Sequence, residues 1–523
     1  MPTTAQQIVR QLVTLGADRA FGVPGESYLA VLDALYDTPE LQFVSCRHES
    51  GAAFAAEAHG KLTGRPGIVM VTRGPGVANA MVGVHTAQQD ETPLLVFVGQ
   101  VPRHQRGRDA FQEMDLGAVF GSVCKWVHEL DDPNRAPEVV ARAWAIATSG
   151  RPGPVMIGLP EDVLELECST SVRNAPPPTV ASVPAATADD VRDLLAAAER
   201  PVAIVGGSRW STTAIDLLPT TLPGIPLVCG FRRQDLVDHR LPAFAGALGL
   251  GADPALTEWL RRADVVLAIG DRLDDPTTTG FTLLDHAGLG AALVHVHPEP
   301  RELGRVFTPQ LAIATDPEAF LSGLGSVTAQ PRWSTWTAAA RATYEAWCAT
   351  GGMLDEIARG MRDLLPDDAI VTNGAGNFTR PLHRSYGYRR PGRQLAPVGG
   401  SMGYGLPAAV AAKLAHPDRV VLCFAGDGDL MMTAQELATV AHERLAIIVL
   451  VVDNRCYGTI RTHQQRRFPG RQIGTALTNP DFVELARSFG MNAERTTTVD
   501  GTLAALARAV EAGSASLVHL VTE

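Results

Sequence analysis

Along almost the whole of this chain, short apolar runs rich in β-branched residues alternate with Ala- and Leu-rich stretches. That alternation restricts the fold to parallel sheets with helices on both faces. The runs include 67–71 (GIVMV), 94–98 (LLVFV), 202–206 (VAIVG), 264–269 (DVVLAI), 292–296 (ALVHV), 419–425 (RVVLCFA) and 446–452 (AIIVLVV). At 523 residues the chain is too long for one hydrophobic core. A Pro-rich stretch at 175–184 (APPPTVASVP) and a less marked one at 324–334 interrupt the pattern as joints. The expectation is three doubly wound α/β domains, at 1–170, 185–325 and 345–523, the first and last being candidates to share a fold without sharing sequence.

Charge and cysteine usage remove several functions. The formal net charge is −11 and no long Lys/Arg run opposes it, so neither nucleic acid nor an anionic membrane surface is an expected partner. The seven cysteines include no C-x-x-C pair, which argues against a disulfide framework or a zinc site and fits a reducing compartment. The N-terminus lacks the basic and apolar segments of a secretion signal, and runs such as 420–425 and 446–452 are far shorter than the ~20 residues that span a bilayer. The expected location is the cytoplasm.

Chemistry concentrates first near the C-terminus. Strand 419–425 ends at Gly426-Asp427-Gly428-Asp429, a helical stretch is predicted near 433–443, and strand 446–452 ends at Asp453-Asn454. In a right-handed βαβ unit the carboxyl ends of both strands lie on one sheet edge, so Asp427 and Asn454 can meet. A carboxylate and an amide oxygen are hard ligands that suit Mg²⁺, which takes the rest of its octahedral shell from phosphate and water. Gly426 and Gly428 let backbone N–H groups approach a phosphate. Asp and Gly are also ordinary turn residues, and the tetrapeptide by itself leaves that reading open.

The spacing narrows the choice. GDG, a helix of about 12 residues, an apolar strand and then Asn at position 454 resemble the thiamine-diphosphate motif of the acetolactate synthase-like family. The resemblance implies that Asp427 and Asn454 hold the metal with side-chain oxygens and Cys456 with its main-chain carbonyl. It also places Gly426, Gly428, Asp429, Tyr457, Gly458 and Thr459 around the cofactor. Asp453 departs from the Asn-Asn usual in the family.

Thiamine acts after losing a thiazolium proton, which a carboxyl group against the aminopyrimidine promotes from a poorly solvated pocket. Glu49, between strand 41–45 and the Ala-rich helix 51–62, stands where such a group belongs; the plainer reading is a carboxylate at a helix N-terminus. The run from Arg47-His48-Glu49 through VMVTRGPGVANAMVGVHTAQQDETPLLVFVGQV closely resembles the pyrimidine-binding domain of acetolactate synthases and gives Glu49 the activating role. In that family the glutamate and the diphosphate site come from different subunits, which implies a homodimer or homotetramer with shared sites. By the same resemblance Gly400 contacts the pyrimidine, Met402 wedges the cofactor into its bent form beside Ser401, and the loop Gly374-Ala375-Gly376-Asn377 touches the diphosphate. Asn377 and Phe378 stand where the synthases usually carry Gln and His.

The substrate side matches selectively. Gln112, in AFQE, takes the place of a glutamine that faces the reacting carbon, and Lys125 takes that of a family lysine; a solvated surface lysine is the alternative. His463 and Pro276 replace the Trp and Arg that select the second 2-oxo acid. The basic stretch holding Arg461, His463, Arg466 and Arg467 could receive a substrate carboxylate or be a solvated loop. The chain ends soon after strand 516–521, without the arm that closes over the synthase site, and a more open pocket is expected. In the middle domain Val205-Gly206-Gly207, Gly270-Asp271-Arg272-Leu273-Asp274-Asp275 and Arg151-Pro152-Gly153-Pro154 resemble FAD contacts, while Leu248-Gly249-Leu250-Gly251 replaces the flavin loop, so FAD stays open. The resemblance implies a 2-oxo acid decarboxylase and carboligase: a donor such as pyruvate loses CO₂ to leave a carbanion–enamine, which a second carbonyl captures. Simple decarboxylation of the benzoylformate decarboxylase type, or acyloin or diketone cleavage, is the competing reading.

Overall fold

The computed structural model describes every residue except 175, 177, 178, 285–290 and 523. Its strands form three six-stranded sheets in which all pairings are parallel. The N-terminal sheet takes β1 (Arg19–Gly22), β2 (Gln42–Ser45), β3 (Gly67–Val71), β4 (Leu94–Gln100), β5 (Trp126–Glu129) and β6 (Pro154–Pro160) in the order β2-β1-β3-β4-β6-β5. The central sheet takes β7 (Pro201–Val205), β8 (Leu227–Cys229), β9 (Phe244–Ala247), β10 (Val265–Ile269), β11 (Ala292–Val296) and β12 (Leu311–Ile313) in the order β12-β11-β10-β7-β8-β9. The C-terminal sheet takes β13 (Ile370–Asn373), β14 (Gln394–Leu395), β15 (Val421–Gly426), β16 (Ile447–Asp453), β17 (Asn492–Thr496) and β18 (Ser516–Val521) in the order β14-β13-β15-β16-β18-β17.

Counted from its own first strand, the C-terminal sheet repeats the N-terminal order 2-1-3-4-6-5. The central sheet has the other doubly wound order, 3-2-1-4-5-6, whose switch point lies between β7 and β10. The strands read from apolar runs are the buried middle ones: β4, β6, β15 and β16 bury every residue, as strands covered on both faces must.

Helix Glu49–Thr63 is the hinge of the architecture. Its Ala52, Ala53 and Ala56 share one continuous core with Leu406, Ala409 and Ala412 of helix Gly405–Ala415, so the N- and C-terminal sheets are joined by two Ala-lined helices with no bulky side chain to hold them apart. Gly83 of helix Gly74–Gln89 completes the crossing, because a β-carbon there would lie 2.8 Å from the Ala53 carbonyl carbon.

The helical stretch expected near 433–443 is present as a 3₁₀ turn Ala434–Glu436 running into helix Leu437–His442, and a further short helix, Asp427–Leu430, precedes it. Thr433 is held out of a continuous helix by donating its hydroxyl to the Gly403 carbonyl at 2.7 Å. The stretch read as a joint at 324–334 leads into helix Trp333–Ala349, whose Trp333 and Trp336 indoles donate to the Ala198 and Pro201 carbonyls at 2.9 Å and fasten it to the central sheet. Within the Pro-rich stretch 175–184, positions 175, 177 and 178 lie outside the described residues.

Candidate active site

The site forms at the carboxyl edge of the C-terminal sheet. β15 and β16 run in register with Gly426 beside Val452, so Asp427 and Asp453 leave adjacent strands at the same level and Asn454 follows one residue on. Asp427 is buried and its Oδ2 accepts the Asn479 side-chain N–H at 2.7 Å. Burial, with the neighbouring Asp453 carboxylate, raises the Asp427 carboxyl above the usual range. Burial also works against the charge on Asp453, but hydrogen bonds from His519, the Arg455 N–H and Asn479 outweigh it and hold that carboxyl low. Asn454 is exposed and its Oδ1 accepts the Cys456 N–H at 3.1 Å; the Cys456 carbonyl accepts Gly458 N–H at 2.8 Å.

Three hard oxygens therefore lie on two adjacent strand-end loops, each with a lone pair to spare. Two buried carboxylates side by side are a place where a cation relieves repulsion, so the donor set fits Mg²⁺. Among the described residues no three His, Cys, Asp or Glu are grouped to hold a metal alone. The balance of a Mg²⁺ shell would fall to phosphate and water.

Three further loops border this edge. In Gly374-Ala375-Gly376-Asn377 the Asn377 N–H bonds Thr459 Oγ1 at 2.9 Å, which fastens the loop to Tyr457-Gly458-Thr459. Gly400 has φ +73 with open space where a side chain would be, and Met402 next to it is half-buried. Ser401 pairs its hydroxyl with Thr86 at 2.8 Å. Asp429, expected at the cofactor by its place in the tetrapeptide, instead accepts the Ala375 N–H at 3.1 Å and the Gly403 N–H at 2.9 Å. One buried carboxylate thus ties the 374–377 loop to the 400–403 loop.

The N-terminal unit separates two residues that the sequence had placed together. Glu49 opens the helix after β2, at the carboxyl edge of its sheet, and its Oε2 accepts the Asn79 side-chain N–H at 2.9 Å. Gln112 lies beyond the end of β4 on that same edge, in the left-handed region at φ +63, with its carbonyl accepting Gly74 N–H at 3.0 Å. Lys125 immediately precedes β5 and lies at the opposite, amino edge. Its ammonium donates to the Ile146 and Ser149 carbonyls that close helix Ala136–Thr148, and burial lowers it to about 8. Lys125 is a helix-terminus partner and does not share an edge with Glu49 and Gln112. Position in the sequence does not reveal which end of a strand a residue occupies unless the strand itself is located.

The central switch point fills itself. A β-carbon on Gly206 would lie 2.8 Å from Asp271 Cγ, and one on Gly230 3.2 Å from the same atom. Asp271 is buried there, raised to about 7 by burial and by Asp274. From the N-terminal unit Glu91 accepts the Ser208 hydroxyl at 3.1 Å and faces His297 at 3.6 Å. Arg151 pairs with Glu302 at 2.9 Å and donates to the Gln88 carbonyl at 2.8 Å, and the Phe231 ring occupies the space beside Gly249. A dinucleotide diphosphate needs free backbone N–H groups at this point and would meet two carboxylates. These residues do not fit FAD.

Helix Gly458–Arg467 carries Arg461, His463, Arg466 and Arg467 and buries none of its residues, so the basic stretch is an exposed helix beside the metal loop. Asn479 and His519 went unread as site residues. Asn479-Pro480-Asp481 signals only a turn and a helix cap, which Asp481 supplies by accepting Val483 N–H at 2.9 Å, and His519 sits inside an apolar strand.

Comparison with known proteins follows this geometry. Residues 2–119 match the family model described as Thiamine pyrophosphate enzyme, N-terminal TPP binding domain; 188–324 match the central domain and 374–520 the C-terminal TPP binding domain of the same enzymes. The chain is 32% identical to the acetolactate synthase isozyme 2 large subunit of Escherichia coli, over 99% of this chain and 95% of that protein. It is 33% identical to the acetolactate synthase large subunit of Parasynechococcus marenigrum, over 92% and 81%. It is 32% identical to the mitochondrial acetolactate synthase of Schizosaccharomyces pombe, over 91% and 76%. No helix among the described residues is long and apolar enough to cross a membrane.

Proposed function

The chain belongs to the thiamine pyrophosphate enzyme family, and from that premise we propose that it is a thiamine-diphosphate- and Mg²⁺-dependent 2-oxo acid decarboxylase that passes the decarboxylated fragment to a second carbonyl. The observation that carries this reading is the register of β15 and β16, which brings Asp427 and the loop of Asn454 and Cys456 to one sheet edge. Bound thiamine diphosphate would supply the carbon nucleophile and hold the electron pair left when CO₂ departs.

The chain's own residues divide the remaining work. Asp427, Asn454 and Cys456 hold the metal, and Gly426 and Gly428 leave room for the phosphate oxygens. Gly374, Ala375, Gly376 and Asn377, with Tyr457, Gly458 and Thr459, border the diphosphate. Gly400, Ser401 and Met402 seat the ring, and Glu49 of a second copy holds the proton on the pyrimidine side. Gln112, half-buried on that same edge, orients the substrate carbonyl. The central unit serves as a spacer without flavin, and the partner is another copy of this chain. Named relatives act as acetolactate synthases, which supports pyruvate as the first donor to try. His463 and Pro276, replacing the Trp and Arg that the synthases use for the second 2-oxo acid, favour a different acceptor.

The test is incubation of purified protein with thiamine diphosphate, Mg²⁺ and a panel of 2-oxo acids, each with and without an aldehyde or second 2-oxo acid. CO₂ release with a coupled hydroxy-ketone product is expected. Release of CO₂ with only the aldehyde would replace carboligation by simple decarboxylation, and no turnover with any pairing would overturn the proposal.

A further inference from the structure

Asn479 spends both hydrogens of its side-chain amide on carboxylates: one goes to Asp427 Oδ2 at 2.7 Å and the other to Asp453 Oδ1 at 2.8 Å. Both acceptors are buried, and no other orientation of the amide satisfies two oxygens that only accept when ionised. The far oxygen of Asp453 is taken by His519 Nε2 at 2.9 Å, and the Arg455 N–H adds a further bond at 3.0 Å, so Asp453 has its acceptors occupied within the protein. Asp427 differs. Its Oδ2 is turned to Asn479, and the rest of its carboxyl group meets only the Gly428 N–H and the neighbouring Asp453 among the described contacts.

The amide is itself rigidly mounted. Residues 475–477 run antiparallel to the loop after β16, with Tyr457 N–H on the Thr475 carbonyl at 2.9 Å and Leu477 N–H on the Arg455 carbonyl at 2.8 Å. Two residues later Asn479 is delivered between β15 and β16, and Asp481 then caps helix Phe482–Ser488. The loop that bears Asn454 and Cys456 and the segment that bears Asn479 are one hydrogen-bonded piece.

From this geometry we propose that Asn479 is a positioning residue for the metal: by bridging two buried carboxyl groups it fixes the orientation of Asp427 and presents that side chain to the cation. The inference rests on the reading of Asp427 as a metal ligand. Removing the amide frees the Asp427 side chain to turn away, which withdraws the ligand oxygen before the cation arrives.

The experiment titrates Mn²⁺, in place of Mg²⁺, into the full-length protein with excess thiamine diphosphate, following free Mn²⁺ by its electron paramagnetic resonance signal. Asn479→Ala removes both donors, and Asn479→Asp, nearly the same shape, replaces a donor with a third carboxylate; either one suffices if the other fails to fold. Half-saturation is expected to rise roughly 10- to 100-fold, as for other residues that orient a metal ligand. A merely structural role would lower the thermal midpoint of the metal-free protein and leave the titration in place. Half-saturation within about twofold of the parent in a folded variant overturns the inference. Asp427→Asn, run alongside, separates the two readings. If it abolishes tight Mn²⁺ binding while the Asn479 variants bind normally, only the inference fails. If it binds as the parent does, the metal assignment itself fails, and the inference with it.

Discussion

Asp429 shows how a single buried side chain can hold two loops of a site together. Its buried carboxyl accepts two N–H groups from two loops, and a β-carbon on Gly374 would lie 2.6 Å from its Cγ, so nothing larger than glycine fits beside it. Burial raises this carboxyl to about 7, against the pull of the Gly403 and Ala375 N–H groups and of Arg232. A raised acid holds its proton more tightly in the folded chain than in the unfolded one. Its favourable contribution is therefore complete below the unfolded value near 4 and is lost as pH rises through about 7. Asp429→Asn keeps an oxygen for both N–H groups and cannot ionise, so its denaturant midpoint should change less than the parent's between pH 5 and 8. Asp429→Ala orphans both donors and should cost about 1–3 kcal/mol in the same urea titration. The sequence could expose Asp427 and Asn454 because strand ends in a βαβ unit are arithmetic. It did not foresee that Asp429 also ties two loops together, because those loops lie far from it in sequence, and it missed Asn479 because 52 residues separate it from Asp427.

Elements were legible where their packing is monotonous. The wholly apolar strands and the Ala-rich helix Glu49–Thr63 follow from composition alone, since burial on all sides leaves few residue types to use. After β15 the helical stretch near 433–443 was legible, but not the separate short helix Asp427–Leu430, set apart from it by bonds to a distant loop, such as Thr433 to the Gly403 carbonyl. Gly83 makes the opposite case. In the interior of helix Gly74–Gln89 glycine is disfavoured relative to alanine by about 1 kcal/mol, yet the crossing helix leaves no room for the methyl group. The Ala53 carbonyl carbon at 2.8 Å and the Phe54 nitrogen at 3.0 Å are backbone and cannot swing aside. Gly83→Ala should therefore destabilise the protein by about 1–3 kcal/mol despite its better helix propensity, read as a lowered urea midpoint with unchanged slope. A midpoint that rises would mean the helices can separate, and that their spacing is set elsewhere.

At the scale of the whole molecule the three sheets have unequal work. The central one closes its own switch point with Asp271, Glu91 and Phe231, so protein purified from cells should show no flavin absorbance near 450 nm and bind none when FAD is added. The outer two repeat one strand order and carry the two halves of the proposed site, Glu49 on one and Asp427 on the other. Among the described hydrogen bonds within one chain, Glu49 bonds Asn79 of its own unit, and Glu436 of the C-terminal unit accepts the N–H groups of its neighbours Arg47 and His48 at 3.2 and 3.1 Å. Pro75, Ala78, Asn79, Val82 and His85 form an exposed stripe along the helix that carries Asn79, a face left for something else to cover. If a second copy covers it, Glu49→Gln and Asp427→Asn should each be inactive alone and active together. In a mixed dimer one site combines both lesions and the other combines neither. Random pairing makes half the dimers mixed, so co-expression of the two variants should restore roughly a quarter of the parent's CO₂ release. A mixture as inactive as its components would place both halves of the site within one chain, and the proposed pairing across copies would fall.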